Sequence, residues 1–418
     1  MYSLGGWLDW LRVDRRPVGG TADRRIPANV FLLGLTSLFT DISSEMVVSV
    51  LPIYLVGFLR MTPAQFGLVD GLYQGVAGVV QLGSAVITDR IRRYKEMAAL
   101  GYGFSVLCRV GLLATRAWTG LTAFLVLDRL GKGMRSAPRD ALISLSVPRD
   151  RLGTAFGVHR AMDAVGAMLG PVVAFVILRG IANGFDVVFL VSLCVAIIGF
   201  AVLWLFVDNR PAGMVVRDER TKPTLHDAIR LLSASEFRHL AIAAFLLGAM
   251  TISDSFIYLT LQRRTAMSSG AFPLLYVLTS AGYLVFAIPM GRLADRVGRF
   301  PVFVAGHAVL VALYAALIAF PAGSALLGLV VAMLAIYYAS TEGVLMALGS
   351  ALLPEHFRTS GLAVLTTLLA IARFAGSAAF GIVWAGFGVD TAVIAFLIGL
   401  VFAICLVVTS RPKEPASI

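Results

Sequence analysis

The sequence predicts an all-α polytopic membrane protein with twelve spanning helices in two pseudo-symmetric six-helix halves. Three observations carry this expectation. The 418-residue chain is 58% apolar and 14% charged, with a mean hydropathy of +0.86, whereas a soluble globular protein is about 25% charged. Hydropathy divides the chain into twelve apolar segments, each near the ~20 residues that a spanning helix needs. Two landmarks recur at one offset: Asp89 and Asp295 are 206 residues apart, and so are Pro148 and Pro354. A shared offset is the mark of two parallel repeats. Barrel strands are excluded, because they are short and alternate polar with apolar residues.

The segments and the cations between them fix one another in order. A segment of residues 1–29 holds five Lys or Arg and precedes the first helix, 30–56. Arg60 stands before the second helix, 66–88, and four cations in 90–95 before the third, 96–115. Arg116 leads to the fourth, 119–143, two cations in 149–151 to the fifth, 154–178, and Arg179 to the sixth, 185–207. A polar linker, 208–237, brings six cations in 210–238 before the seventh helix, 238–262. Arg263 and Arg264 precede the eighth, 271–290, and three cations in 292–299 the ninth, 301–320. The tenth and eleventh, 324–348 and 359–385, flank Arg358; the twelfth, 388–410, is followed by Arg411 and Lys413 in a tail, 411–418. With the N-terminus inside, 23 of the 35 cations are cytoplasmic, five are external and seven lie within helices. By the positive-inside rule this places both termini in the cytoplasm. The expected organisation is a first half over 30–207, the linker, and a second half over 238–410.

The formal charge of +11 is thereby explained by topology, and no nucleic-acid partner is expected. Cys108, Cys194 and Cys405 fall in apolar segments and read as small buried hydrophobes, with no metal spacing or disulfide framework. The N-terminus lacks the pattern of a signal peptide. Leu4, Trp7, Leu8 and Leu11 at helical spacing, followed by Arg12, Arg15 and Arg16, suit a short helix on the cytoplasmic leaflet. Leu225, Ile229 and Leu232 in the linker suit another.

Ionisable residues within a membrane helix cost several kcal/mol and need a partner or a role. The first half carries Asp41, Glu45, Asp70, Asp128, Asp140 and Asp163 against Arg109, Arg129, Lys132, Arg135, Arg139 and Arg160. The second carries Asp254, Glu342 and Arg373. In the fourth helix Asp128, Lys132, Arg135 and Arg139 share one stripe, with Arg129 about 100° away. Asp41 and Glu45 share a face of the first helix. His159 and Arg160 lie four and three residues before Asp163, so either can pair with it. Read structurally, the set is a salt-bridge network tying helices 1, 4 and 5. Read functionally, part of it binds a proton or a charged solute. Asp254 and Glu342 stand between a cavity role and a buried hydrogen bond, with Arg373 a nearby cation.

Gly291-Arg-Leu-Ala-Asp295-Arg296-Val-Gly-Arg299, between the eighth and ninth segments, resembles the loop signature of the major facilitator superfamily. Ala85-Val-Ile-Thr-Asp89-Arg90-Ile-Arg-Arg echoes it in the first half, with Ala85, Arg92 and Tyr94 departing from the pattern. Arg129-Leu-Gly-Lys132-Gly133 resembles the fourth-helix signature of drug:proton antiporters in that superfamily, with Lys132 in place of Gln. Gly157, Gly166, Gly170 and Pro171 match the fifth-helix antiporter signature, and Ala174-Phe175 replaces its final glycine pair. The first half also looks like a bacterial subgroup of unassigned substrate.

The resemblance implies a multi-pass permease of the bacterial inner (plasma) membrane, monomeric, without a cofactor, and with a proton as coupling ion. It implicates Arg129 in proton coupling, and the reading of the intramembrane charges adds Asp41, Glu45, Lys132, Arg160 and Asp163 as candidates. The cavity candidates are Arg135, Asp254, Glu342 and Arg373. The gate would be Asp89, Arg90, Gly291, Asp295, Arg296 and Arg299. The leading expectation is efflux of a small amphipathic molecule by antiport. The alternative is import of an anionic metabolite or metal chelate, with Lys132, Arg135 and Arg160 as the anion site. A receptor or lipid flippase is a third class. No P-loop and no hydrolytic constellation is present, so no enzyme is expected.

Overall fold

Pro52 decides how the first helix ends, because a proline has no N–H to give the helix ladder. In the computed structural model, which describes residues 27–91, 93–148, 151–209, 231–353 and 358–410, α1 runs over Ala28–Pro52 and continues as a wider π turn over Ile53–Phe58. Then follow α2 (Pro63–Ile91), α3 (Tyr94–Ala114), α4 (Trp118–Leu145), α5 (Leu152–Gly180) and α6 (Phe185–Phe206). After the linker come α7 (Ser235–Ala249) and α8 (Asp254–Thr265), then α9 (Pro273–Val297), α10 (Arg299–Ala319), α11 (Ser324–Ala351), α12 (Arg358–Phe387) and α13 (Val389–Thr409). The described residues hold no strand. With α7 and α8 as one broken span, twelve spans result. Ten are long and apolar enough to cross a membrane by length and composition. The two others are α4, which holds most of the intramembrane charges of the first half, and α2, whose apolar run is interrupted by Asp70, Gln74, Gln81 and several glycines. The expected surface helix near residues 4–11 lies outside the described residues, and of the one near 225–232 only the end is described, as a 3-10 turn over Leu231–Ser233.

The chain forms two compact units. The first is Met1–Val48, Val80–Ile177 and Asn183–Glu219; the second is Ser49–Val79, Leu178–Ala182 and Arg220–Ile418. The exterior is rich in exposed large apolar side chains, among them Leu205, Val285, Phe387 and Phe402. That pattern inverts the rule for soluble proteins and suits a lipid solvent. It also corrects the reading of the cysteines: Cys108 is buried, but Cys194 and Cys405 are exposed, because an apolar side chain facing lipid has no need to hide.

Close crossings set the first unit. A Cβ at Gly101 of α3 would lie 2.6 Å from the Gly131 carbonyl oxygen of α4, and one at Gly131 would lie 2.7 Å from that of Gly101. Two of the α5 signature glycines do the same to α1. A Cβ at Gly166 would meet the Leu38 carbonyl at 2.7 Å and the Asp41 Cβ at 3.1 Å. One at Gly170 would meet the Ile42 carbonyl at 2.7 Å and the Glu45 Cβ at 2.8 Å. Small residues let helices touch backbone to backbone, and here the touching points are the turns that bear the two acids. Gly157 faces open space, so packing does not explain it.

In the second unit, a stripe on α2 packs on α12 in the same way. A Cβ at Gly67 would lie 2.5 Å from the Ser377 carbonyl, and one at Gly71 2.8 Å from that of Phe374. Gly298 joins α9 to α10 at φ +100°, a backbone region that favours glycine.

The seventh span corrects an expectation of one continuous helix. It breaks at Met250–Ser253. Thr251, Ser253 and Asp254 are residues whose short polar side chains compete with the helical ladder, and Tyr314 of α10 satisfies the freed backbone. Its hydroxyl accepts from the Ile252 N–H at 2.7 Å and donates to the Met250 carbonyl at 3.3 Å.

Gly170→Val is expected to destabilise the protein by about 1–3 kcal/mol through overpacking, whereas Gly157→Ala leaves the thermal midpoint in detergent unchanged. An equal midpoint for both variants would refute the α1–α5 contact. Tyr314→Phe removes both bonds to the break and should cost about 1–3 kcal/mol. Hydrogen exchange at Ile252 should rise with it; unaltered protection would show that the break stands without Tyr314.

Candidate functional site

The charges of the first unit fall into paired and open groups. Asp128 of α4 lies between two guanidinium groups: Arg109 Nη1 is 3.1 Å from Oδ1 and Arg129 Nη2 is 2.6 Å from Oδ2. Arg109 and Asp128 side chains are each 2% exposed. Arg109 also donates to Ser44 Oγ at 3.1 Å and approaches Ser43 Oγ at 3.4 Å on α1. Ser192 of α6 hydrogen-bonds the Ser43 hydroxyl and carbonyl, both at 2.9 Å. This cluster therefore ties α1, α3, α4 and α6. Helical spacing puts Arg129 on a different face from Asp128, but its long side chain folds back to the neighbouring carboxylate.

Arg135 donates to Ser105 Oγ at 2.5 Å and lies over the Tyr102 ring, 4.8 Å from its centroid. It is 3% exposed, so it packs α3 on α4 and presents no open face for a solute. Arg139 binds its neighbour Asp140 at 3.0 Å and donates to Ser37 Oγ at 3.2 Å. Of the two side chains expected to meet Asp163, His159 does so: Nδ1 is 3.3 Å from Oδ2. Arg160 is exposed.

Asp41, Glu45 and Lys132 are different. Among the described residues none of the three makes an ion pair within 4.0 Å or a side-chain hydrogen bond. Yet they lie within electrostatic range of one another, with Arg129 beside them. Two carboxylates on one face of α1 thus look at one ammonium on α4 without closing on it. Such a cluster can exchange a proton, or admit a charged group, without first breaking a salt bridge.

The second unit gathers its charges near the break. Tyr338 of α11 donates to Asp254 Oδ1 at 2.5 Å, and Arg373 Nη2 of α12 lies 4.0 Å from Glu342 Oε1. Arg373 and Glu342 are within electrostatic range of Asp254. Asp70, read from sequence among the charges of the first half, belongs here. Its Oδ2 accepts from Ser377 at 2.7 Å and from Gln74 at 2.9 Å. Phe256 and Tyr258 are fully buried, in an aromatic core with Phe66, Phe380 and Trp384 on one side and Tyr276 on the other.

In the loop signature, Arg299 Nη2 lies 3.6 Å from Asp295 Oδ1, and its Nη1 donates to the Ala347 carbonyl at 3.3 Å. The pair therefore links the α9–α10 turn to the end of α11 inside the second unit. Arg296 is exposed and Gly291 has open space around it. Asp89 and Arg90 lie on α2, with side chains outside the described residues. Sequence reasoning missed Ser37, Ser43, Ser44, Tyr102, Ser105 and Tyr314. The available signal was the run of hydroxyls beside Asp41 and Glu45 on α1 and, on α3, Tyr102 and Ser105 within two turns of Arg109.

The sequence profile of the Major Facilitator Superfamily matches residues 33–377. An uncharacterized transporter of this superfamily type from Methanocaldococcus jannaschii is 30% identical over 372 residues, which covers 87% of this chain and 90% of that protein. Among solved structures, the nucleoside transporter NupG aligns with a TM-score of 0.75 at 14% identity, covering 91% of this chain and 98% of its own. A POT family transporter in complex with 5-aminolevulinic acid aligns with a TM-score of 0.77 at 14% identity, covering 94% and 98%. These likenesses point to a transporter rather than an enzyme, built as a multi-pass membrane protein. The chain belongs to the major facilitator superfamily.

Proposed function

We propose that the protein is a proton-coupled secondary transporter that exports a small amphipathic molecule by alternating access. One observation carries the reading. Asp41, Glu45 and Lys132 are held in electrostatic range of one another without direct partners, on the turns of α1 and α4 that the glycine contacts and the Arg109–Asp128 cluster fix in place. A fixed cation near a carboxylate favours its ionised form, and withdrawing the cation favours the protonated one. A conformational cycle that changes this spacing would take up and release a proton. Two open acids against one open amine favour a cationic or zwitterionic solute. The anion-import alternative asks Arg135 to face the solute, and its enclosure by Ser105 and Tyr102 weighs against that.

The protein would lie in the cytoplasmic membrane as a monomer, with both termini inside, as the cation distribution demands. In a background with the three native cysteines changed to alanine, Ser269→Cys should react with an impermeant thiol reagent on intact cells. Val297→Cys should be protected until the membrane is opened. The reverse labelling pattern would overturn the orientation.

The coupling is tested in proteoliposomes with ethidium as the probe. Asp41→Asn should lose nearly all uptake driven by an imposed pH gradient while retaining counterflow in the absence of a gradient. Retention of full gradient-driven movement in both Asp41→Asn and Glu45→Gln would reject this acid pair as the coupling site.

A further inference from the structure

Ser37, His159 and Asp163 form a polar cluster in the first unit, one turn from the acid pair. His159 of α5 is 1% exposed, and so is Ser37 of α1. Ser37 Oγ stands 3.0 Å from His159 Nε2, 3.2 Å from Arg139 Nη1 and 3.4 Å from the Tyr102 hydroxyl. On the other side of the ring, Nδ1 is 3.3 Å from Asp163 Oδ2, within ion-pair range but without the geometry of a hydrogen bond. The Asp163 side chain is 18% exposed, but its Oδ1 is shielded from solvent and has no hydrogen-bond partner.

The donor inventory sets the proton positions. A guanidinium only donates, so Arg139 uses a lone pair of Ser37 Oγ. The Ser37 proton then goes to its nearer acceptor, His159 Nε2. A neutral ring that accepts at Nε2 carries its own proton at Nδ1, where it faces Asp163. The carboxylate thus has one oxygen toward the imidazole and one oxygen out of water with no donor. That second oxygen has room in its chemistry for a proton.

We propose that Ser37, His159 and Asp163 make up a proton-binding site of the first unit, separate from the Asp41–Glu45 pair, that loads one proton in each transport cycle. Loading adds one proton from the medium to the His159–Asp163 pair, either at the carboxylate or, across the 3.3 Å contact, at the ring. The charge of the pair goes from −1 to 0, no other bond changes, and unloading reverses the step. The proton belongs to the pair rather than to either group. Ser37 is a positioning residue that fixes the ring tautomer.

The charged groups that face this site are Arg139 and Asp140 on α4, Arg160 on α5 and Asp41 on α1. Arg139 bridges the site to Asp140, whose side chain is 35% exposed. Asp41 follows Ser37 by one helical turn and touches Gly166 of α5, itself one turn beyond Asp163. A change of charge at the pair is therefore felt at both the rim of the unit and the acid cluster. The site's place in a transport cycle rests on the transporter reading; its existence does not.

The test separates the two. The full-length protein is labelled with ¹⁵N-histidine, placed in lipid nanodiscs and followed by NMR from about pH 4 to about pH 9, the range that brackets imidazole titration. The chain has five histidines, and His159→Gln identifies the ring of interest by loss of its signals. At high pH the His159 ring should be the Nδ1–H tautomer, and its signals should report one proton gained as pH falls. Asp163→Asn should move or abolish that step, and Ser37→Ala should shift the tautomer balance while leaving the other rings unchanged. A His159 ring whose signals stay constant over the range, or that behaves identically in Asp163→Asn, overturns the site. In proteoliposomes, Asp163→Asn should slow gradient-driven ethidium movement at least tenfold while counterflow persists. Unchanged gradient-driven movement overturns the role in coupling. A titrating pair in a wild-type protein that moves no ethidium counts against the transporter reading for this probe and leaves the site standing.

Discussion

A guanidinium with almost no access to water sets the terms for the first unit. Arg109 is among the largest fully buried side chains, and its charge is answered by Asp128 and the hydroxyls of Ser43 and Ser44. Breaking such a buried pair by removing one partner typically costs about 3–5 kcal/mol. Three helices are thereby held in one rotation. With Asp128 turned toward Arg109, Lys132 comes one turn later on α4, where it faces the acids of α1. The closed cluster thus lies one turn from the open one, and Arg129, which binds Asp128, also stands within electrostatic range of Glu45 and Lys132.

The glycines of α5 act with this cluster and not beside it. Gly166 and Gly170 meet α1 at the turns of Asp41 and Glu45. A larger residue at either position would push these turns of α1 away from α5. The resemblance of this segment to an antiporter signature therefore has a local physical meaning in this chain. The glycines bring a backbone face flat against the helix that bears the unpaired carboxylates. Gly157, which belongs to the same spacing, has no such contact, so the spacing does two kinds of work or one of its members does none.

Much of this was legible in the sequence, and the reasons for the exceptions are specific. Hydropathy and cation placement were enough for twelve spans, because the bilayer demands a minimum apolar length whatever the packing. Helical spacing found the α4 stripe and the Asp41–Glu45 face. It did not find partners across helices, since depth and rotation between helices are not periodic properties. Asp70 shows this: its sequence neighbourhood is the first half, yet Ser377 on α12 is its donor. Arg135 looked like a cavity cation by position and is enclosed by Ser105 and Tyr102. The α7–α8 break was hidden because a run such as Met250-Thr-Ile-Ser253 is apolar enough to pass as helix. The phenol that stabilises the break lies 62 residues away.

That break divides one span into two shorter helices, each with its own dipole. A helix start carries roughly half a positive charge, and α8 starts at Asp254, within a span that would otherwise be neutral along its middle. The carboxylate accepts there from the Tyr338 hydroxyl. Its direct partner is therefore a neutral hydroxyl at a helix start, while the formal cation of the region, Arg373, sits closer to Glu342. Dipoles of this kind are fixed by the fold and do not leave with a solute or a proton. The second unit thus keeps a permanent electrostatic feature at its break, whereas the first unit carries formal charges at Asp41, Glu45 and Lys132.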